Sequence, residues 1–194
     1  MNRILLVEPG ALGKIKKAFQ TVQQAHSGQF RKGADRELFY YHPRRVCKAY
    51  LQFQHKTLDG ALAALCHDLV EDTWVTLQDI ECWFGYQVRQ LVDDLTKPEH
   101  VSHLDYLQRF EDWPLESKKI KVCDIEDNVL SSRTIPVELR RSMMIKWKRY
   151  LDALTPRPHD NSAASQEYVL KRNHVLAIFE SESTAMIRSL SGSE

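Results

Sequence analysis

The 194 residues suit one compact domain and are enough to bury a core. Hydrophobic residues make up 43% and charged residues 27%, an ordinary composition for a soluble globular chain. The net charge of +1 excludes a global field for nucleic acid or an anionic membrane, so any site for a polyanion has to be local.

The chain opens on MNRILLVEPG, which lacks the long apolar core and small-residue cleavage site of a secretory signal. No run of 18 apolar residues follows, so no transmembrane helix is expected. Few segments alternate with period two, and only 7 Gly and 7 Pro interrupt the chain, so the apolar periodicity predicts an all-α fold. Helices are expected at roughly 12–27, 43–54, 57–73, 76–96 with a bend near Gly85, 104–111, 115–131, 136–154 and 164–190. Thr57 and Thr76 read as N-caps, and Thr76 with Asp79 forms a capping-box pattern. Pro43, Pro114 and Pro136 sit where a first helical turn tolerates proline. Segment 27–42 reads as the first loop, and 155–163 (TPRPHDNSA) as a joint before the last helix. This divides the chain into a unit at 1–155 and a helical extension at 156–194. The extension carries an apolar stripe of Tyr168, Val169, Val175, Leu176, Phe179, Met186, Ile187 and Leu190. That stripe fits docking on the core, or packing on a second copy as a homo-oligomer. Cys47, Cys66, Cys82 and Cys123 show no CxxC pairing, which fits free thiols and a cytoplasmic setting.

Three clusters carry chemistry. In ALAALCHDLVEDT, residues 61–73, four acidic or imidazole groups follow an apolar helix face. On a continuous helix His67 and Glu71 stack at i and i+4, and Asp68 and Asp72 stack one step around. Burying that much negative charge unpaired is costly, and a divalent cation is the simplest compensation; a solvated acidic helix end is the alternative. In KIKVCDIEDNVLSS, residues 119–132, Asp124, Asn128 and Ser131 share one helical stripe beside an apolar one. In FYYHPRRV, residues 39–46, His42 stands just before a proline that starts a helix, a position equally suited to a packing residue.

Together, His42 before Pro43, then His67-Asp68, then Asp124 in a K-x-x-D helix follow the H…HD…D order of the HD phosphohydrolase superfamily, which the chain resembles. AHSGQFRKG (25–33), HDLVEDT (67–73), FGYQVRQLVDDLTK (84–97) and KVCDIEDN (121–128) are similar to motifs of RelA/SpoT-type alarmone hydrolase domains. The resemblance spans about 14–132 and, by length, is closest to the stand-alone small alarmone hydrolases. It departs at IEDNVLSS, where Ser131 stands in place of the usual threonine, and at Gly33. Residues 98–118 and those after about 150 match weakly.

The resemblance implies a metal site of His42, His67, Asp68 and Asp124. Such a mixed N/O set suits Mn²⁺, with Fe²⁺ or Zn²⁺ also compatible. It implies that Glu71 and Asp72 accept a proton from, and position, the attacking water. It further implies that Arg31, Lys32, Asn128 and Ser131 bind substrate, by guanidinium stacking, phosphate contact and hydrogen bonds to the nucleoside. The reaction implied is 3′-pyrophosphohydrolysis of ppGpp or pppGpp, or a ppApp-type analogue. The alternatives are an HD phosphatase of another nucleotide (a nucleoside monophosphate or NADPH) and an antitoxin-type partner protein. Arg44, Arg45 and Lys48 fit either a positive rim or a solvated face. Cys66, Cys123, His26 and the four tryptophans are expected to pack, and His55, His100, His103, His159 and His174 have no motif context.

Overall fold

The computed structural model describes residues 10–33, 36–156 and 160–191, with side chains through 188. The opening segment, His159 and part of the 155–163 joint therefore lie outside the described residues, as does the Leu190 side chain. The architecture is an all-helical bundle: α1 Ala11–Ala25, α2 Tyr41–Tyr50, α3 Leu58–Cys66, α4 Leu69–Asp72, α5 Leu77–Phe84, α6 Tyr86–Leu95, α7 His103–Gln108, α8 Leu115–Ser131, α9 Val137–Ala153 and α10 Ala163–Ser191.

The central helix is α3. Its sequence LDGALAALC is apolar nearly all round, and every residue from Gly60 to Cys66 is buried, as expected for a helix enclosed on all sides. Its alanines let α1, α2, α6 and α8 pack closely around it. Gly60 faces α2: a Cβ there would fall on the Tyr50 hydroxyl and 2.7 Å from Glu116 Oε2. Thr57 caps α3 through Gly60 N, and Thr76 with Asp79 completes the capping box of α5. Gly85, at φ 98°, separates α5 from α6 and produces the expected bend.

Two departures from the sequence reading matter. The helix expected over 57–73 is broken at His67–Asp68. His67 Nδ1 sits 3.0 Å from Ala64 O, the carbonyl that a continuing helix would offer to the Asp68 amide. The i, i+4 stacking of His67 on Glu71 therefore does not run along one helix. The described residues of segment 27–42 also make backbone pairs that a plain loop would lack: Phe30 and Leu38 form an antiparallel bridge, Arg31 N donates to Glu37 O at 2.7 Å, and Phe39 N donates to Gln29 O at 3.0 Å. This short hairpin leads into α2.

The last helix, α10, lies along α8 and α9. Tyr168, Val175, Phe179 and Met186 are buried, while Ile187 is 61% exposed. Tyr168 Oη donates to Leu154 O at 2.7 Å, Lys171 pairs with Glu126 at 2.6 Å, and Glu182 pairs with Arg140 at 2.8 Å. Cys47, Cys66 and Cys123 are buried free thiols, pushed up by burial, Cys47 to about 12. Trp113 and Trp147 are buried as expected, but Trp74 is exposed and touches Trp83 edge-on.

Candidate active site

Three elements meet at one point. The start of α2 supplies His42, the break between α3 and α4 supplies His67 and Asp68, and the middle of α8 supplies Asp124. His42 Nε2 stands 3.3 Å from Asp68 Oδ2 and 3.2 Å from Asp124 Oδ1. His67 Nε2 stands 3.1 Å from Asp68 Oδ1 and 3.7 Å from Asp124 Oδ1. Donors about 2.1 Å from one ion lie about 3.0–3.4 Å from each other; three of the four separations fall in that range and the His67–Asp124 one is wider, so His42, His67 and Asp68 form the tighter group for a shared cation, with Asp124 beside it. His67 Nε2 is buried without a hydrogen-bond partner, while its Nδ1 faces a carbonyl. With Nδ1 engaged by a carbonyl, Nε2 is the nitrogen that would face a ligand once it gives up its proton. Both imidazoles are buried. The donor chemistry, two imidazoles and two carboxylates, fits a divalent metal.

Burial disfavours the imidazolium of His42, but hydrogen bonds to Asp124, Asp127 and Asp68 outweigh it and hold the group at about 9. Burial likewise opposes charge on His67, and the Asp68 charge with the Asp124 contact raises it to about 10. Burial also opposes the carboxylates, yet His67 and His42 hold Asp68 far below its usual range. Lys121 and the same imidazoles do so for Asp124.

A cavity of about 370 Å³ opens over this cluster, within the size range of small-molecule sites. One wall is the hairpin with Phe30, Arg31, Lys32 and Phe39; the floor holds His42, Asp68 and Asp124; Glu71 and Asp72 line one side. Burial raises both Glu71 and Asp72 above the ordinary carboxylate value, and the Asp68 charge adds to each. Arg31 Nη2 donates to Asn128 Oδ1 at 2.8 Å, and Asn128 Nδ2 donates to Asp124 Oδ1 at 2.5 Å. Arg31 also lies over the Phe39 ring at 5.7 Å.

Of the residues singled out from the sequence, His42, Asp68, Glu71, Asp72, Asp124, Arg31, Lys32 and Asn128 line the cavity, and His67 sits beneath it. Ser131 does not: its Oγ lies 3.4 Å from Arg45 Nη2 and 3.5 Å from Asp127 Oδ2. Rotation along α8 carries it past the cavity, in place of the expected nucleoside contact. Arg45 is likewise no rim residue, being paired with Glu37 and Asp127. His26 packs as expected, stacked on Phe39 with Nδ1 2.7 Å from Gln29 Oε1.

Sequence reasoning missed three groups. Lys121, buried and 2.9 Å from Asp124 Oδ2, stood in the K-x-x-D motif and its i, i+3 spacing was the available signal. Asp127 accepts from His42 Nδ1 at 2.7 Å and is the polar neighbour of Asn128. Lys146, Trp147 and Tyr150 of α9 close the far wall, and nothing local in their segment marks them.

An all-helical bundle that brings H…HD…D donors to one point beneath a cavity lined by Arg31, Lys32, Lys121 and Lys146 is an HD-type phosphohydrolase. No family model matches the chain. It is 30% identical over 124 residues to guanosine-3′,5′-bis(diphosphate) 3′-pyrophosphohydrolase MESH1 of Xenopus tropicalis, covering 62% of this chain and 69% of that protein. It is 29% identical over 160 residues to GTP pyrophosphokinase of Streptomyces coelicolor, covering 79% of this chain but 18% of that protein; the chain spans about a fifth of the length of the long curated relatives it matches. Among solved structures, a metazoan ortholog of SpoT that hydrolyzes ppGpp superposes with a TM-score of 0.72 at 23% identity, over 88% of this chain and 97% of that one, which establishes the shared fold. The chain belongs to the family of guanosine-3′,5′-bis(diphosphate) 3′-pyrophosphohydrolases to which MESH1 belongs.

Proposed function

We propose that this chain removes pyrophosphate from the 3′ position of a guanosine 3′,5′-bis(diphosphate)-type alarmone, leaving GDP or GTP, with Mn²⁺ as the resident metal. The observation that carries the reading is the convergence of His42, His67, Asp68 and Asp124 beneath a cavity whose walls present Arg31, Lys32, Lys121 and Lys146. A divalent cation held there supplies Lewis-acid polarisation of a phosphate oxygen and a water acidic enough to react near neutral pH.

The chain's own groups do the rest. Glu71, raised above its ordinary value yet open to the cavity, accepts the proton from the attacking water, and Asp72 orients that water. Arg31 and Lys32 on the hairpin hold the substrate's phosphates or purine face, and Asn128 offers a hydrogen bond to the nucleoside. The 370 Å³ cavity keeps the reacting phosphate in a partly desolvated space, where these cations act more strongly than in water. The catalytic unit is residues 1–155, with 156–194 as its docked extension, in a cytoplasmic setting.

A nucleotide panel with Mn²⁺ tests the proposal by reading pyrophosphate and phosphate release separately. Pyrophosphate release from guanosine 3′,5′-bis(diphosphate), with kcat/KM at least tenfold above other substrates, is expected. Orthophosphate release from a nucleoside monophosphate or NADPH as the preferred reaction would replace it with the phosphatase reading. No turnover on any nucleotide, with metal bound, would favour a binding partner.

A further inference from the structure

The hairpin and the proposed metal site are joined by two chains of polar contacts. One runs inside the cavity: Arg31 to Asn128 to Asp124. The other runs outside it, through three residues that line no part of the cavity. Arg45 Nη1 and Nη2 grip both oxygens of Glu37, at 2.5 and 2.8 Å, on the returning strand of the hairpin. Arg45 Nε and Nη2 grip both oxygens of Asp127, at 2.5 and 3.1 Å, on α8. Asp127 Oδ2 in turn accepts from His42 Nδ1 at 2.7 Å. A guanidinium held at both ends by a carboxylate fork is a rigid link, because its planar donors match each carboxylate in one orientation only. Asp127 is nine-tenths buried, so its end of the link is shielded from water, while Arg45 and Glu37, about two-thirds buried, form the partly exposed end.

We infer that Glu37, Arg45 and Asp127 form a positioning network, which fixes His42 Nε2 toward the metal and anchors the hairpin that presents Arg31 and Lys32. The inference rests on the metal-site reading proposed above. The carboxylate on Nδ1 fixes the imidazole tautomer and makes Nε2 a stronger donor, as partners of metal-bound histidines do. Arg45 neutralises Asp127 and ties it to Glu37. Because Arg31 N donates to Glu37 O at 2.7 Å, displacing Glu37 displaces the residue that reaches into the cavity. One arginine thereby sets both the metal's ligand and the substrate's clamp, and neither job requires contact with substrate.

The two ends separate experimentally. Metal-free full-length protein is titrated with Mn²⁺ against a chelating indicator, and KM and kcat are measured at saturating Mn²⁺. Asp127→Asn keeps size and shape but removes the charge, and is expected to weaken Mn²⁺ binding about 10–100-fold. Glu37→Gln is expected to leave Mn²⁺ affinity within about threefold while raising KM about 2–5-fold at near-constant kcat, the scale of a partly exposed ion pair, with faster amide exchange over 29–39. A general loss of structure would move both affinities together and lower the thermal midpoint. Asp127→Asn with wild-type Mn²⁺ affinity overturns the network. If that variant fails to fold, Asp127→Glu carries the test: it displaces the carboxylate by one methylene, and binding less than about threefold weaker would overturn the network equally. Failure of the wild-type protein to bind Mn²⁺ at all would sink the metal-site reading, and this inference with it.

Discussion

Metal binding should be strongly proton-linked. Without a cation, His42 and His67 hold protons with values of about 9 and about 10, against an ordinary 6.5. Asp68 and Asp124 stay ionised far into acid. The two imidazolium charges thus balance the two carboxylates, and at pH 7.5 both imidazoles are almost fully protonated. A cation needs their lone pairs, so binding must expel about two protons per ion. The dissociation constant should tighten by roughly 100-fold per pH unit below pH 9 and by about tenfold from 9 to 10. Stability of the metal-free protein carries the opposite sign. Raised imidazole values contribute stability that is complete below about 6.5 and is lost as pH climbs through 9 and 10. The metal-free thermal midpoint should therefore fall from pH 7 to 10, and saturating Mn²⁺ should remove that fall. Calorimetric titration with Mn²⁺ between pH 6.5 and 8.5, in buffers of different ionisation enthalpy, counts the protons directly. Release of less than about half a proton, with affinity flat across this range, would refute the charge balance drawn here.

Asp68→Ala and His67→Ala each remove a donor from the proposed metal site and should lose both bound metal and turnover; full metal occupancy by elemental analysis would contradict the assignment. Glu71→Gln should keep its metal and lose about 10²–10⁴-fold in kcat, because on the proposed reading it removes the proton acceptor and no ligand; loss of metal in this variant would move Glu71 into the ligand set. Gly60→Ala should destabilise the protein by about 3–5 kcal/mol, combining overpacking against α2 with loss of the Tyr50–Glu116 hydrogen bond; calorimetry should show the midpoint down by about 10 °C, and an unchanged midpoint would mean α2 can shift. Truncation after Thr155 exposes the partners of Tyr168, Val175, Phe179 and Met186. At about 1.5–3 kcal/mol for each lost side chain, that is about 6–12 kcal/mol, comparable to the stability of a whole domain. The truncated chain should lose its cooperative transition, and one that melts like the full protein would show α10 to be dispensable.

What was legible in the sequence was what is local. Thr57 and Thr76 cap because a side-chain oxygen meets an amide two or three residues on, and the spacing alone shows it. The helices emerged from periodicity with ends displaced by at most four residues, apart from the break at His67–Asp68. The donor set was legible because its motifs are ordered along the chain, although no local rule says that His42 lies 3.2 Å from Asp124. What failed was long-range or side-chain driven. The break at His67 depends on an imidazole taking the Ala64 carbonyl, which helical periodicity does not encode. The hairpin at 29–39 has too few residues to alternate visibly. Ser131 shares a stripe of α8 with Asp124, and the resemblance implies a substrate contact for it, but its Oγ lies 3.4 Å from Arg45 Nη2, off the cavity lining. Lys146 and Tyr150 belong to a helix whose own pattern is amphipathic and unremarked; only the docking of α9 over the cavity gives them a role.

The charge arrangement explains why so buried a site tolerates so many acidic groups. Asp68 and Asp124 form an acidic floor, with Glu71 and Asp72 at its edge, and a polyanionic substrate would be repelled from such a surface. Four basic residues offset this from separate directions: Arg31 and Lys32 from the hairpin, Lys121 from α8 and Lys146 from α9. Lys121 is already engaged, 2.9 Å from Asp124. Burial holds Lys146 below the usual lysine value, with the Lys121 charge adding to this, so Lys146 gains from an arriving anion more than a solvated lysine would. Exchanging two imidazole protons for one divalent cation would leave the floor's net charge unchanged but gather the positive charge at one point, with open coordination positions for a phosphate oxygen. On the proposed reading, metal and substrate would be coupled through direct coordination rather than through a change in net charge. The separation of basic walls from acidic floor gives one 370 Å³ cavity distinct places for a cation and for an anion.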